Sequence, residues 1–402
     1  MNPPASRSTW PYWTACALWL LVFAAITTDV MRRPMKHTTM PTYRLASAQW
    51  AAGQDVYDTT REHDAFLYFP PAAVLFTPFA ELPFSAGEIL WRAATFGLFA
   101  FALFRLAGFF LPRDDSGKTF LYLSLLAIPA SLASLRNAQF DLPLAAVIVL
   151  TAAEISRARH NAAAAWLSLA VALKPLAVVP LLLFGALERK LIPRLIVGLL
   201  LVVAITFLHW NPAFVAHEYT RCVETLAWAS QANEARYSDL AALLSHIDFN
   251  PSNDLKTIVR IVFALVYLGL GFAATRRLNP AGISWAIGAL SADYLMLFNP
   301  RTETCSYVFL SPFVASLALL YCRKSERRWL AFLLGCAALG LACDGVPKIG
   351  TFSVHDMTDR WLKPLIAFLF LPVLIEFIFR RQPNAAPDSV IPSLSRDQTR
   401  PE

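Results

Sequence analysis

Long apolar runs recur along the whole chain, and they constrain its fold more than any other feature. A helix of about 20 apolar residues crosses the hydrocarbon core of a bilayer. The 402 residues are 56% hydrophobic and 16% charged, with a mean hydropathy of +0.48. A soluble domain of this size is not so apolar throughout. The sequence therefore predicts an all-α, polytopic transmembrane helical bundle with about 10–12 membrane segments and outward-facing loops.

Most apolar runs are long enough to be assigned as membrane spans. The predicted spans are Tyr12–Thr28, Ala86–Leu111, Thr119–Leu135, Phe140–Ile155, Leu191–His209, Leu255–Thr275, Ala281–Phe298, Cys305–Cys322, Trp329–Cys343 and Trp361–Phe379. Two apolar segments are ambiguous: the proline-rich Phe66–Phe84, and Asn161–Leu187, which Lys174 and Pro175 interrupt. These two segments decide the topology.

The distribution of lysine and arginine favours one topology over the other. Cytoplasmic loops carry an excess of these residues. One topology assumes that the N-terminus is cytoplasmic, that Phe66–Phe84 lies at the outer interface, and that Asn161–Leu187 forms a re-entrant pair broken at Lys174. It places the following basic residues and turns inside: Arg113, Lys118, Arg157, Arg159, "ERKLIPR", Arg276, Arg277, "RKSERR", Arg380 and Arg381. If both segments spanned the membrane instead, four basic residues would face outward: Arg113, Lys118, Arg157 and Arg159. The preferred topology places the long loops Asp29–Ala65, Trp210–Asp254 and Asp344–Arg360 outside.

Composition also limits the domains and partners. We expect one transmembrane domain over residues 1–380 and a disordered cytoplasmic tail over 381–402, which is rich in proline and serine. The net charge of +7 arises mostly from turns between apolar runs, so it indicates contact with membrane lipids and no nucleic acid. The six cysteines lack metal-ligand spacing, and no Asp-x-Asp pair or nucleotide-binding loop is present. No metal and no cofactor are therefore expected.

Lys174 is the first candidate site residue. A lysine at the bilayer centre costs roughly 2.5–3.5 kcal/mol. Pro175 disfavours helical backbone in the residue before it and removes a hydrogen bond, and such a break is tolerated where it faces protein or water. The lysine can bind an anion there, or it can snorkel to the cytoplasmic face. Both interpretations remain open.

Asp29, at the outer end of the first predicted span, is a candidate proton acceptor. A carboxylate at the membrane surface can take a proton from an attacking hydroxyl. A solvated carboxylate at a helix end has the same sequence pattern. Asp55, Asp58 and Asp64 in the same loop compete for the role, and His37 is another possible base.

Two short turns between spans concentrate polar side chains that can contact a sugar or a phosphate. They contribute Arg136, Asn137, Gln139 and Asp141 from one turn, and Asn299, Arg301 and Glu303 from the other. Sugar hydroxyls need both donors and acceptors, and arginine suits bidentate contact with phosphate. Helix caps and ordinary charged turns are the alternative interpretation of both.

The order of several motifs resembles glycosyltransferase family 87, within the GT-C superfamily. The motifs are "YRLASAQWAAGQDVYD", "YFPPAAVLFTPFAELP", "RNAQFDLPLAAVIVLTAAE", "WLSLAVALKPLAVVPLLLF" and "NPRTETCSYVFLSP". The resemblance implies a polyprenyl-phosphate sugar donor, commonly mannose, and an acidic base in the first outer loop. That acid usually precedes the first tyrosine of these motifs by a few residues. Here Thr38–Thr42 contains no acid, so the role is assigned to Asp29 further upstream.

The resemblance thus implies a mannosyltransferase or other hexosyltransferase of the bacterial cytoplasmic membrane, with its active site facing the periplasm or exterior. It would use a polyprenyl-phosphate sugar and a lipid-linked or cell-surface glycan acceptor. Asp29 would accept the proton, and Lys174, Arg136 and Arg301 would stabilise the leaving phosphate. The sugar and polyprenyl sites would involve Asn137, Gln139 and Tyr68, with Asp141, Asn299 and Glu303 also contacting substrate. A lipid or lipid-sugar flippase or transporter, and a non-catalytic GT-C-like membrane protein, remain the alternatives.

Overall fold

A computed structural model describes residues 9–33, 35–36, 38–57, 65–112, 116–230, 237–343, 350–351, 353–358 and 360–380. These residues form α-helices and short 3-10 turns, and none of them lies in a β-strand. The helices are α1 (Trp10–Arg32), α2 (Met40–Ala52), α3 (Pro70–Ala80), α4 (Phe84–Phe110), α5 (Ser116–Arg136), α6 (Asp141–Ile155), α7 (His160–Leu173), α8 (Val178–Leu187), α9 (Ile192–Thr206), α10 (Pro212–Ser230), α11 (Leu240–Ser245), α12 (Asn253–Arg277), α13 (Pro280–Phe298), α14 (Ser311–Cys322), α15 (Arg328–Gly340), α16 (Val354–Thr358) and α17 (Leu362–Phe379).

The predicted all-α, multi-pass membrane fold is confirmed. Within the described residues, seven helical segments are long and apolar enough to cross a bilayer: α1, α4, α5, α12, α13, α17 and the segment Thr304–Cys322, which includes α14. Three shorter apolar helical segments accompany them: α3, α7 and Pro175–Leu187, which includes α8. The predicted tail, 381–402, lies outside the described residues.

The helix ends follow from local sequence. The Asn279 side chain accepts a hydrogen bond from the Gly282 N–H at 2.8 Å, and Pro280 takes the first helical position of α13. Ser252 caps α12 in the same way. Helix α2 ends at Gly53, whose φ of 68° is left-handed. Side-chain caps and a left-handed glycine therefore fix these helix ends.

The segment Phe66–Phe84 does not form a spanning helix. Helix α3 has 11 residues, so it is about 16 Å long at 1.5 Å per residue, against a hydrocarbon core of about 30 Å. Helices α2 and α4 pack against it. Its position at the outer interface stays a prediction.

The segment 161–187 forms the predicted pair of broken helices. Helix α7 ends at Leu173, Lys174 is extended with φ −151° and ψ 130°, and α8 follows a short turn over Pro175–Ala177. His160, at the start of α7, lies 3.7 Å from Glu188, just past the end of α8. The two helices therefore run antiparallel as a hairpin with Lys174 at its tip.

Helix α6 forms the centre of the bundle. Every residue from Asp141 to Glu154 is buried, and α6 packs against α4, α7 and α13. Helix α12, in contrast, exposes large apolar side chains such as Ile258 and Leu265. In a membrane protein this face contacts lipid, because the bilayer takes the place of a protein partner.

The two ends of α6 define two rims of the bundle. Asp141, at its start, pairs with Lys174, whereas Glu154, near its end, pairs with Arg105 of α4 at 2.5 Å. A rise of 1.5 Å per residue separates these ends by about 20 Å. We call the end at Lys174 the tip rim and the end at Arg105 the basic rim. The basic turn around Arg157 and Arg159 lies at the basic rim. Its location on the cytoplasmic side stays a prediction, and Arg113 lies outside the described residues.

Candidate active site

Lys174 is held at the hairpin tip by an ion pair. Its ammonium pairs with Oδ1 of Asp141. The Lys174 side chain is 18% exposed, whereas the Asp141 side chain is fully buried. The proline break thus brings a cation to the tip rim of the bundle, with part of its surface accessible. The Lys174 ammonium therefore lies at the tip rim, at the opposite end of α6 from the basic rim.

Asp141 lies at the first position of α6, where the helix dipole favours a negative charge. Its Oδ2 accepts a hydrogen bond from the Ser306 hydroxyl at 2.7 Å. Both carboxylate oxygens therefore have a partner, and the carboxylate cannot rotate freely. A fixed Asp141 fixes the direction in which the Lys174 ammonium points.

Gln139 and Glu303 meet beside this ion pair. The Gln139 amide donates to Oε2 of Glu303 at 2.7 Å, and the Cys305 thiol donates to Oε1 of Gln139 at 2.6 Å. Ser134 donates to the Cys305 carbonyl at 2.9 Å, which joins the end of α5 to the second turn. Glu303 is exposed. We call the group of Lys174, Asp141, Ser306, Gln139, Glu303 and Cys305 the tip cluster.

Aromatic side chains form a wall next to the tip cluster. The hydroxyls of Tyr43 and Tyr68 lie 3.1 Å apart. Both rings contact Phe140, with centroid distances of 4.6 Å and 4.9 Å. The Tyr57 hydroxyl donates to the Tyr68 carbonyl at 2.7 Å. Tyr43, Tyr57 and Phe140 are buried, whereas Tyr68 is partly exposed. Tyr68 is therefore the ring of this wall that can contact an apolar lipid chain or the face of a sugar ring.

The charges of the tip cluster affect its titration. Burial by itself would lower the pKa of Lys174, but the negative charges of Asp141 and Glu303 outweigh it and raise that pKa above its ordinary value. Burial raises the pKa of Tyr68 well above its ordinary value. At neutral pH the lysine is therefore a cation and Tyr68 a neutral hydroxyl.

The structure brings together five of the predicted site residues: Lys174, Asp141, Gln139 and Glu303 directly, and Tyr68 through the aromatic wall. The analysis of the sequence missed Ser306, Cys305 and Tyr43. All three stand in the motifs that carry the family resemblance, so the motifs contained the signal, but the pairing across the fold did not follow from them.

Arg136 and Asn137 lie at the tip rim and anchor a loop. The Asn137 carbonyl accepts two hydrogen bonds of 3.0 Å from Thr39, through its N–H and its hydroxyl. The Arg136 carbonyl accepts one of 2.7 Å from Arg92. Nε of Arg136 and Oδ1 of Asn137 are buried and have no hydrogen-bond partner among the described residues.

Asn299 and Arg301 make contacts away from the tip cluster. The Asn299 amide donates to the Thr302 hydroxyl at 3.3 Å. Nε of Arg301 donates to the Ala229 carbonyl at 2.8 Å, and its guanidinium lies 5.3 Å from the Trp228 ring centre. Arg301 therefore holds the turn against the end of α10, and Asn299 stabilises the turn itself.

Asp29 lies in the last turn of α1 and is exposed. Helices α1 and α5 run parallel, because Tyr12 contacts Ser116 and Trp19 donates to Ser124 at 3.0 Å. Because these two pairs show which residues of α1 and α5 lie side by side, Asp29 is level with the end of α5, at the tip rim. Asp29 makes no hydrogen bond or ion pair with the described residues. Its rivals Asp58, Asp64 and His37 lie outside the described residues.

Asp55 is engaged elsewhere at the same rim. Its side chain accepts from the Tyr57 N–H at 2.8 Å and lies 3.4 Å from Nε of Arg221. In the part of the chain that the structure describes, no three His, Cys, Asp or Glu side chains are grouped so as to hold a metal ion.

The fold defines an integral membrane protein with a charged site at one membrane rim. A model of glycosyltransferase family 87 matches residues 66–300, more than half of the chain. The chain therefore belongs to glycosyltransferase family 87 and is a membrane glycosyltransferase, which confirms the resemblance seen in its motifs.

Two further comparisons complete this result. No curated protein matches the chain. Among solved structures, the crystal structure of ArnT from Cupriavidus metallidurans in the apo state is similar, with 17% sequence identity and a TM-score of 0.44. The match covers 90% of this chain and 76% of ArnT.

Proposed function

We propose that this protein transfers a hexose, mannose by preference, from a polyprenyl-phosphate donor to a lipid-linked or cell-surface glycan. The reaction takes place at the outer face of a bacterial cytoplasmic membrane, at the tip cluster. The observation that supports this most is the position of Lys174, a partly accessible cation that the proline break brings to the membrane rim beside an aromatic wall. This arrangement suits a lipid that carries a phosphate at its polar end.

In the proposed reaction, an acceptor hydroxyl oxygen forms a bond to the anomeric carbon of the sugar. The bond between that carbon and the phosphate oxygen breaks, and the lipid phosphate leaves with its electron pair. A carboxylate takes the hydroxyl proton. Atoms and charge balance without a further reactant.

Lys174 stabilises the charge that develops on the leaving phosphate. An ammonium has three donor hydrogens, and Asp141 takes one of them. The others can point to the phosphate oxygens. Because Ser306 fixes Asp141, the ammonium is positioned before the reaction begins, which makes such electrostatic stabilisation effective.

Asp29 is the proposed base, since it is an exposed carboxylate at the level of the tip rim. Glu303 is the exposed carboxylate inside the tip cluster, and its hydrogen bond from Gln139 suits sugar binding. The two roles can be separated kinetically. Loss of the base lowers kcat, typically by about 10²–10⁴-fold, whereas loss of a sugar contact made equally in the ground state raises KM.

The test uses purified protein, radiolabelled polyprenyl-phosphate mannose and a membrane extract as the pool of acceptors. Transfer of label to a new product is expected, with kcat strongly reduced in Asp29→Asn and KM raised in Glu303→Gln. Asp254 is an exposed carboxylate at the start of α12. Asp254→Asn is therefore the matched control and should retain full activity.

Other outcomes would contradict the proposal. Passage of intact label across the bilayer would indicate a flippase. No turnover with any polyprenyl-phosphate sugar would indicate a non-catalytic protein. If Asp29→Asn retained full kcat and Glu303→Gln lost it, the tip cluster would stand as the site, and Glu303 would replace Asp29 as the base.

A further inference from the structure

A cavity of about 570 Å³ lies at the basic rim. The end of α4, the start of α13 and the ends of α14 and α17 surround it. Arg105 of α4 defines this rim through its pair with Glu154, and α4 continues beyond Arg105 to the cavity. The cavity is therefore at the opposite end of the bundle from the tip cluster. Its volume is in the range of small-molecule sites.

The cavity has an apolar floor made of stacked aromatic rings. Phe110 and Phe377 line it. The Phe110 ring stacks on Trp285 at 4.5 Å between centroids, with 6° between the planes, and Phe377 meets the Trp285 ring at 4.9 Å. Trp285 itself is fully buried. This floor is the part of the cavity nearest the bundle interior.

The mouth of the cavity carries two cations, Lys324 and Arg380. Nη1 of Arg380 is buried and has no hydrogen-bond partner among the described residues. Nη2 of Arg380 lies 4.0 Å from Glu326, a side chain that is 84% exposed, and such an exposed pair contributes little. Lys324 lies 6.0 Å above the Tyr321 ring.

Glu376, a second carboxylate near these two cations among the described residues, is hydrogen-bonded to other groups. Glu376 accepts from Arg327 at 2.7 Å through one oxygen and from Tyr321 at 3.0 Å through the other. Burial, together with Arg380 and Arg327, lowers the pKa of Lys324. Among the described residues, the mouth therefore concentrates positive charge that an anion would balance.

We propose that this cavity, the basic-rim pocket, binds the phosphoryl headgroup of an anionic phospholipid from the same leaflet. The phosphate lies between Lys324 and Arg380 and satisfies Nη1 of Arg380. The upper part of an acyl chain lies along the ring of Phe377. Basic pockets between transmembrane helices suit anionic lipid headgroups. This site is independent of glycosyl transfer and lies about 20 Å or more from the tip cluster.

The experiment measures the melting temperature of the delipidated full-length protein in detergent. Three additives are titrated: dioctanoyl phosphatidylglycerol, dioctanoyl phosphatidylcholine and inorganic phosphate. Phosphatidylglycerol is expected to raise the melting temperature in a saturable way, and more than the other two. The Lys324→Gln/Arg380→Gln variant should bind it about 30-fold more weakly, because each basic residue near an anionic headgroup contributes a factor of about five.

A matched control separates the pocket from general attraction at the rim. Arg276→Gln/Arg328→Gln removes the same charge from exposed positions that do not line the cavity, and its affinity should change less than twofold. Ala281→Trp, at the pocket lining, keeps both cations and fills the space, so it should also weaken lipid binding. Ala281→Trp therefore still tests the pocket if Lys324→Gln/Arg380→Gln does not fold.

Three results would overturn the proposal. Equal losses in the pocket and control variants would show that only the charge of the rim matters. An equal response to phosphatidylcholine would show that the phospholipid's net charge is not recognised. An inorganic phosphate response as strong as the lipid response, and unaffected by Ala281→Trp, would show a site for free phosphate instead.

Discussion

The ion pair between Lys174 and Asp141 should be strongly coupled, because the Asp141 side chain is fully buried and the Lys174 side chain is mostly buried. Removing one partner of a buried pair costs about 3–5 kcal/mol. For Asp141→Asn we expect about 2 kcal/mol, below that range, since the Lys174 side chain is 18% exposed and can turn toward water. For Lys174→Gln we expect about 3 kcal/mol, because the fully buried carboxylate keeps its charge and loses its cation.

The double variant Asp141→Asn/Lys174→Gln carries no charge at this position. Its two amides can bond to each other, so it should cost about 3 kcal/mol in total. The cycle then gives a coupling free energy of about 2 kcal/mol, within the range found for contacting residues. The measurement is unfolding in mixed micelles with rising dodecyl sulfate, followed by circular dichroism.

The exposed pair Arg221 and Glu224, 2.8 Å apart, provides the control cycle. Its coupling should stay below about 0.5 kcal/mol, because water screens both charges. A coupling for Lys174 and Asp141 as small as that of the control would refute the claim that the pair is buried and fixed.

Three further predictions concern other parts of the chain. Pro175→Ala removes the restriction that proline places on the backbone of the preceding residue, so we expect Lys174 to shift. The kcat of transfer should then fall about tenfold or more. The free energy of unfolding in micelles should change by less than about 1 kcal/mol. Burial raises the pKa of Glu218 above 4.5, so the folded state holds that proton more tightly than the unfolded state does. Stability therefore falls as the pH rises from about 4.5 to the raised pKa. Glu218→Gln should abolish this fall in a pH series of thermal unfolding. Tyr267 donates to buried Asp293 at 2.5 Å, and Tyr267→Phe should cost about 1–3 kcal/mol in micelle unfolding because it leaves that carboxyl group unpaired.

The membrane fold and the hairpin could be predicted because their causes are local. Span length follows from apolar composition, and the break at Lys174 follows from the proline after it. The burial of each helix could not be predicted. Helices α6 and α12 are both apolar, yet α6 is buried and α12 faces outward. Lipid and protein are similar surroundings for an apolar side chain, so composition alone does not separate them.

The polar contacts of the site were predicted in part. The two turns that supply Gln139 and Glu303 were identified because they concentrate polar residues between two apolar runs. Their partners depend on packing between distant segments, as in the contact of Arg301 with Ala229. An arginine predicted to bind phosphate thus supports a helix end, and Ser306 lies against Asp141. Neither contact could be predicted from the spacing of residues along the chain.

The most direct test of the central claim is to map where the donor's lipid phosphate lies. A photoreactive short-chain polyprenyl phosphate would be cross-linked to the purified protein, and the labelled peptides would be identified by mass spectrometry. We expect labelling of the segments around Asp141, Lys174 and Glu303, with competition by unlabelled sugar donor and strong loss in Lys174→Gln. Competed labelling that is confined to the basic rim, or that is unchanged in Lys174→Gln, would contradict the assignment of the tip cluster as the transfer site.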